Sequence, residues 1–210
     1  MDRVKFRQMA EGDRDDYVFL EAHERSSAAA VGDRLLDALA ELDTSQSAYQ
    51  VTRYEHSVQS ATRAWRDGAD LDWVVAALLH DVGDLYAPYN HDEYAAAILR
   101  PYLREQCTWV VAHHGLFQRY YYAHHFGGDR DVRRRHKDNP YYEDAIAFCD
   151  RWDQASFDPN YDSIPLDHFR PMVAEIFSRE PYQPQVIAAG LRKPLTDPVT
   201  ARARAEEAAA

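Results

Sequence analysis

The order of apolar and polar positions along the chain predicts helices and no strands. Between residues 26 and 42, Val31, Leu35, Leu36, Leu39 and Leu42 recur at the three-and-four spacing of one helical face, which predicts an amphipathic helix. The polar run 43–47 breaks it. A second helix is expected over about 51–65, stopping near Gly68, and Ala69-Asp70-Leu71-Asp72 then supplies caps for a third. That third helix has no polar face. Trp73-Val74-Val75-Ala76-Ala77-Leu78-Leu79 should be buried on every side, and the helix should break at Gly83. After a loop through Tyr86-Ala87-Pro88-Tyr89, Asn90 suits the N-cap of a helix starting at His91, with Asp92 and Glu93 in its first turn. A further helix is expected over 104–122. The segment 124–139 reads as a long exposed connection, with Gly127, Gly128 and the charge run Arg133-Arg134-Arg135-His136-Lys137. Asn139-Pro140 should open a helix running to about Ser156, and shorter helices are expected near 166–179 and 185–191. With no alternating pattern and no internal repeat, the expectation is an all-α chain. It divides into an N-terminal arm, 1–25, one domain, 26–195, and a C-terminal tail, 196–210, that is disordered or a frayed helix.

Composition narrows the function classes. The chain has 210 residues, enough for a substantial core. A net charge of −11 argues against general nucleic-acid binding, which needs a basic face, but leaves room for a small anionic substrate held by a few arginines. No run of about 18 apolar residues is present, so no membrane span is expected. The first residues lack the apolar core of a signal peptide. Cys107 and Cys149 both sit in apolar helical contexts, as reduced buried thiols do, and the expected location is the cytoplasm.

The candidate chemistry lies where the apolar helix ends. A neutral imidazole and a carboxylate adjacent to each other, His80-Asp81, are costly to bury unpaired, and a divalent metal offsets that cost. A satisfied core histidine beside a capping aspartate would look the same in isolation. Other helices supply company: His56 on the preceding helix, His91 opening the next, the pair His113-His114, and Asp150 and Asp153 further on. Four imidazoles and two carboxylates exceed the needs of one zinc ion, and the N/O mixture suits two iron or manganese ions sharing a carboxylate. On a wheel of about 100° per residue, Asp153 falls about 70° from the apolar centre of its helix and Asp150 about 130° away. Asp153 is therefore the inward one. The same wheel favours His113 over His114.

His56, then Leu79-His80-Asp81-Val82-Gly83, then His91, His114 and Asp153 resemble the HD-domain superfamily. The additional His91 and its histidine partner resemble the branch of mixed-valent di-iron oxygenases, which includes myo-inositol oxygenase and enzymes that cleave 1-hydroxyphosphonates. The likeness runs over about 54–156 and is strongest in Tyr54-Glu55-His56-Ser57-Val58-Gln59 and Ala76-Ala77-Leu78-Leu79-His80-Asp81. It implies an HD-type helical bundle with a dinuclear site in its core and two iron ions, Fe(II)/Fe(III), with manganese or another divalent metal as the alternative. His56, His80 and Asp153 would hold one ion, His91 and His114 the other, and Asp81 would bridge them. The resemblance thus favours His114 where the wheel favours His113, and His114 is taken as the ligand, since a metal site commonly lines a cavity beside the apolar stripe. The central pair, His80 and Asp81, is expected to carry catalysis with the metals. The implied reaction uses O2 to cleave a C–C or C–P bond next to a hydroxyl-bearing carbon of a small substrate.

The chain departs from that branch on the substrate side. Asp84 stands where related oxygenases carry a basic residue, and Gln118 stands where the phosphonate enzymes carry lysine, followed by a matching Arg119. Gln46 and Tyr49 replace their gating tyrosine and glutamate. Asp84, Gln118, Arg119 and Tyr49 are accordingly expected to face substrate, with Asp84 suited to a hydroxyl or an ammonium group. The alternative is the hydrolytic use of the same scaffold, in which metal activates water against a small phosphoester or nucleotide. That reading would give Arg119 and the 133–137 run a phosphate to hold. A third class is a non-catalytic, metal-stabilised helical module.

Overall fold

One helix is buried at the centre of the bundle, and it is the one whose sequence lacks a polar face. The computed structural model describes residues 2–44 and 48–208. Its helices in chain order are α1 (Arg14–Ala29), α2 (Val31–Glu41), α3 (Arg53–Arg66), α4 (Leu71–Leu79), α5 (His91–Leu99), α6 (Glu105–Tyr122), α7 (Tyr142–Phe148), α8 (Leu166–Phe177), α9 (Pro184–Ile187) and α10 (Pro198–Ala208). A π-helical turn, Cys149–Asp153, continues α7. There is no strand among the described residues, and no helix among them is long and apolar enough to cross a membrane.

From Trp73 to Leu79, α4 is wholly buried. Asp70 caps its start by accepting the Trp73 N–H at 3.2 Å. Such a cap contributes about 1 kcal/mol, whereas each of Val74, Val75, Leu78 and Leu79 contributes about 1.5–3 kcal/mol by leaving water. Packing therefore dominates the placement of α4. Around it lie α3, α6 and α8, while α5 packs on α6 and α2 on α8. Polar groups pin the start of α4 as well: buried Arg104 pairs with Asp70 at 2.9 Å and Asp72 at 3.3 Å, and Arg179 reaches Asp72 at 2.8 Å.

Several element boundaries differ from the expectation. The helix expected over 26–42 is two helices meeting at Ala30, whose backbone (φ −90°, ψ 9°) is not helical. The first begins at a reciprocal cap between Asp13 and Asp16, so the boundary read at residue 25 falls inside α1. Only Asp16 of α1 is buried, which is why apolar periodicity does not reveal it. α4 ends before His80 rather than at Gly83, because the His80 Nδ1–H takes the Ala77 carbonyl at 2.8 Å and the backbone tightens into three-residue turns. Asn90 precedes α5 but makes no side-chain cap. Asn139 organises a turn by accepting the Tyr141 N–H at 2.8 Å, and α7 starts at Tyr142.

The C-terminal tail, read as disordered or frayed, is helical to Ala208 and docked. Arg204 donates to the carbonyls of Trp65 (2.6 Å) and Ala69 (3.1 Å), over the Trp65 ring. The glycine at the end of α3 makes this possible: Gly68 has φ +76°, and a Cβ there would sit 2.1 Å from the Asp197 carbonyl oxygen. The 124–139 connection holds two short 3₁₀ turns, and part of its charge is pinned, with Arg130 and Arg133 stacked over Tyr120 at 4.0 and 3.8 Å.

Candidate metal centre

Five elements each deliver a side chain to one point beneath the surface. A reciprocal cap between Thr52 and Glu55 starts α3 and sets His56 one turn in. His80 and Asp81 follow the end of α4, and His91 is the first residue of α5. His114 comes from the middle of α6, and Asp153 from the π-helical turn. Gly83 lets α5 approach, since a Cβ there would lie 2.9 Å from the His91 carbonyl oxygen. His56, His80, Asp81, His114 and Asp153 are buried, and His91 is partly so.

The hydrogen bonds of the imidazoles fix their tautomers. His56 Nδ1 meets the Ser156 carbonyl at 3.0 Å, His80 Nδ1 that of Ala77 at 2.8 Å, and His114 Nδ1 that of Val111 at 2.7 Å. A carbonyl only accepts, so each Nδ1 carries the hydrogen, and each neutral ring turns a bare Nε2 lone pair inward. The Nε2 atoms of His56 and His80 then face each other at 3.2 Å. Two lone pairs in that position repel unless a cation lies between them. Asp153 Oδ1 is 3.3 Å from the first and 3.7 Å from the second, and its buried Oδ2 has no hydrogen-bond partner. Asp81 Oδ2 completes this group, 3.4 Å from His56 Nε2 and 3.6 Å from His80 Nε2.

The other oxygen of Asp81 faces a second group. Oδ1 is 3.0 Å from His114 Nε2 and 3.3 Å from His91 Nε2. Donors on neighbouring corners of an ion with bonds of about 2.1 Å lie roughly 3.0–3.4 Å apart, close to the separations in both groups. The donor set therefore fits divalent metal.

The electrostatics agree with a cation site. Burial opposes charge on every member, yet the facing carboxylates hold the His56, His80 and His114 imidazoles above their ordinary range. Burial likewise opposes ionisation of Asp81 and Asp153, but the surrounding imidazoles press both well below the usual carboxylate range. His91 is pulled down, mainly by burial. Without a metal, the cluster draws protons into the space between its nitrogens.

Of the paired candidates, Asp150 is exposed and Asp153 buried, while His113 stacks on Trp109 at 4.2 Å and donates to its carbonyl, away from the cluster. The wheel's preference for His113 fails because the apolar centre of α6 is occupied by packing, whereas the cluster lies at its flank. Cys107 and Cys149 are free and buried, and burial raises both thiols.

A pocket of about 630 Å³ opens onto the cluster. Tyr49 and Gln118 line it, as their substrate-side positions suggest. Arg119 and Asp84 do not. Arg119 is exposed on the far side of α6, one residue round the helix from Gln118. Asp84 is buried behind the wall, engaged by Arg53 and by His91. Gln46 lies outside the described residues. Arg53 is the one lysine or arginine on the described lining, a residue the sequence reading passed over, although its position three before His56 puts both on the same helical face. Phe157 was missed too. It stacks on His56 at 4.4 Å and packs at a tilt against Tyr49 at 4.7 Å, and nothing in the local pattern around it signals that role. Tyr121, Tyr122 and Phe126 complete an aromatic wall.

Comparison with curated proteins finds no match for the chain. The model of the HD domain family matches residues 53–153, from the first residue of the helix bearing His56 to the carboxylate of Asp153. The helical bundle, the histidine-aspartate pair at the end of its buried helix and this match agree, and the stretch 53–153 is an HD domain.

Proposed function

We propose that the chain is a dinuclear metal enzyme of the oxygenase type, using two iron ions and O2 to cleave a small hydroxylated substrate at the C–C or C–P bond beside its hydroxyl-bearing carbon. The observation that carries the reading is the double engagement of Asp81. Its Oδ2 faces His56 and His80, and its Oδ1 faces His91 and His114. A single hydrolytic metal needs only the first group and leaves His91 and His114 without purpose.

His56, His80, Asp153 and Asp81 would hold one ion, and His91, His114 and Asp81 the second. When bound, a mixed-valent iron pair supplies one-electron chemistry with O2. The chain's own residues do the rest. Three backbone carbonyls lock the imidazoles of His56, His80 and His114 with Nε2 inward, so these three need not reorganise. The second group offers few protein ligands, which leaves coordination positions for substrate oxygens. Tyr49, Phe157, Tyr121 and Tyr122 supply apolar lining to the pocket, and Gln118, Thr52 and Gln154 supply polar lining for hydroxyl groups.

A second reading, hydrolysis of a small phosphoester or nucleotide, is favoured by Arg53, which lines the pocket and could meet a phosphate. The remaining anchors of that reading are absent from the pocket: Arg119 is exposed, and Arg133 stacks on Tyr120. The deciding experiment compares the wild-type chain, prepared with ferrous iron, with His91→Ala. The oxygenase reading expects two irons per chain and an EPR signal of a coupled Fe(II)/Fe(III) pair. In the variant it expects one iron lost, the coupled signal gone and a melting change equivalent to about 1 kcal/mol or less, the usual cost at a partly exposed helix start. A variant that retains both metals, or hydrolyses p-nitrophenyl phosphate with one, selects the hydrolase.

A further inference from the structure

His91 is held differently from the other three imidazoles. Where their Nδ1 atoms donate to backbone carbonyls, His91 Nδ1 is shielded from solvent and makes no hydrogen bond. The group in front of it is a carboxylate, Asp84 Oδ1 at 3.4 Å, whose side chain is almost wholly buried. The other Asp84 oxygen is in contact with the Arg53 guanidinium, and Arg53 in turn lines the pocket. A continuous chain thus runs from pocket wall to metal ligand: Arg53, Asp84, His91, and then Asp81 Oδ1 at 3.3 Å.

Resting on the dinuclear reading, we propose that Asp84 is the positioning residue of the second metal position. Its carboxylate holds His91 with Nδ1 towards Asp84 and Nε2 turned to Asp81, and Arg53 keeps that carboxylate in place. Three physical reasons support this. A buried carboxylate is costly to hold without a charged partner, and Arg53 is that partner. A carboxylate behind a metal-bound imidazole fixes the ring and makes it a stronger donor than a carbonyl does. His91 is also the ligand that most needs such help, because it is the least buried of the four and stands at a helix end, where the backbone constrains it least. Asp84 therefore serves the metal rather than the substrate, and Arg53 joins occupancy of the pocket to the state of the second position. An anionic group on the substrate that engages Arg53 would act on His91 through one intervening side chain.

The test is a titration of the metal-free chain with Mn(II), counting bound ions by EPR and equilibrium dialysis, for wild type, Asp84→Asn, Asp84→Glu, Arg53→Lys and Arg53→Gln. The wild type should bind two ions. Asp84→Asn, close to isosteric, should weaken the second ion by about tenfold or more, the range seen when such outer partners are lost, and leave the first within about twofold. Asp84→Glu should recover part of the loss, and Arg53→Lys should stay nearer to wild type than Arg53→Gln. A purely structural role would lower the melting temperature and move both ions alike. Should Asp84→Asn fail to fold, the Arg53 pair carries the same comparison. Two ions bound equally well by wild type, Asp84→Asn and Arg53→Gln would overturn this inference while sparing the dinuclear reading. One ion in the wild type, unaffected by His91→Ala, would overturn both.

Discussion

Asp153 is the proposed ligand with the most exacting surroundings. One of its oxygens faces two imidazole nitrogens, and the other is buried with no hydrogen-bond partner, an arrangement that a cation held there would satisfy. Asp153→Ala should weaken the first ion by more than the roughly tenfold expected for a mere outer partner, measured by the same metal count. It should also leave His91 and His114 able to hold what they held before. Phe157 belongs to this scale as well. Stacked on His56 and tilted against Tyr49, it holds the His56 ring and forms pocket wall at once. Phe157→Ala should preserve metal content while enlarging the pocket, which a shift in binding of small aromatic probes would register.

The element scale turns on two junctions. At the first, Gly68 has left-handed backbone beneath the Asp197 carbonyl oxygen. Gly68→Ala adds about 1–2 kcal/mol of backbone strain, together with a clash that must lift the C-terminal segment from α3. Thermal melting should fall, and a protease should cut between residues 195 and 200 sooner than in the wild type. At the second, buried Asp72 pairs with both Arg104 and Arg179, so removing it breaks two ion pairs, while Arg104 keeps Asp70. Asp72→Ala should cost about 1.5–3 kcal/mol in urea unfolding, more than loss of the Asp70 cap, about 1 kcal/mol. If the two costs came out equal, the start of α4 would be held by packing alone. The π-helical turn after α7 is a third feature of this scale. It widens the helix for one turn and brings Asp153 under His56 and His80, a common arrangement where a helix carries a functional side chain.

For the whole molecule, the cluster predicts how metal and pH interact. His56, His80 and His114 are raised above 6.5, so in the metal-free chain their stabilisation is complete below that value and is lost as pH rises through the folded values. Asp81 and Asp153 are lowered from 3.8, so theirs is complete above it and is lost as pH falls through the folded values. His91, lowered by burial, offsets part of the first effect. The metal-free chain should therefore be most stable at mildly acidic pH. Metal binds the neutral imidazoles, so its contribution grows as pH rises. The difference in Tm between metal-loaded and chelator-treated protein should widen from about pH 5.5 to about pH 8. A constant difference across that range would mean that the cluster binds metal without displacing protons.

Much of this architecture was legible in residue order. An unbroken apolar run from Trp73 to Leu79 has no face to offer water, so it dictates a central buried helix whatever the surrounding elements do. Imidazoles and carboxylates on apolar faces of separate helices similarly announce a shared site, because each alone would be costly to bury. The Asp153 side of its helix could be read from the wheel, since one face of that helix is strongly apolar. What local pattern could not carry was anything set by contacts between distant segments. α1 buries almost nothing apolar, and the docking of α10 depends on a single left-handed glycine 130 residues earlier and on backbone carbonyls that carry no side-chain signature. His113 and His114 are neighbours on one helix, and only the position of Asp81 across the bundle separates ligand from packing residue. The role of Asp84 likewise depends on Arg53, 31 positions away, meeting it behind the pocket wall. Periodicity reports which way a side chain faces from its own element; which partner waits there is decided by tertiary packing.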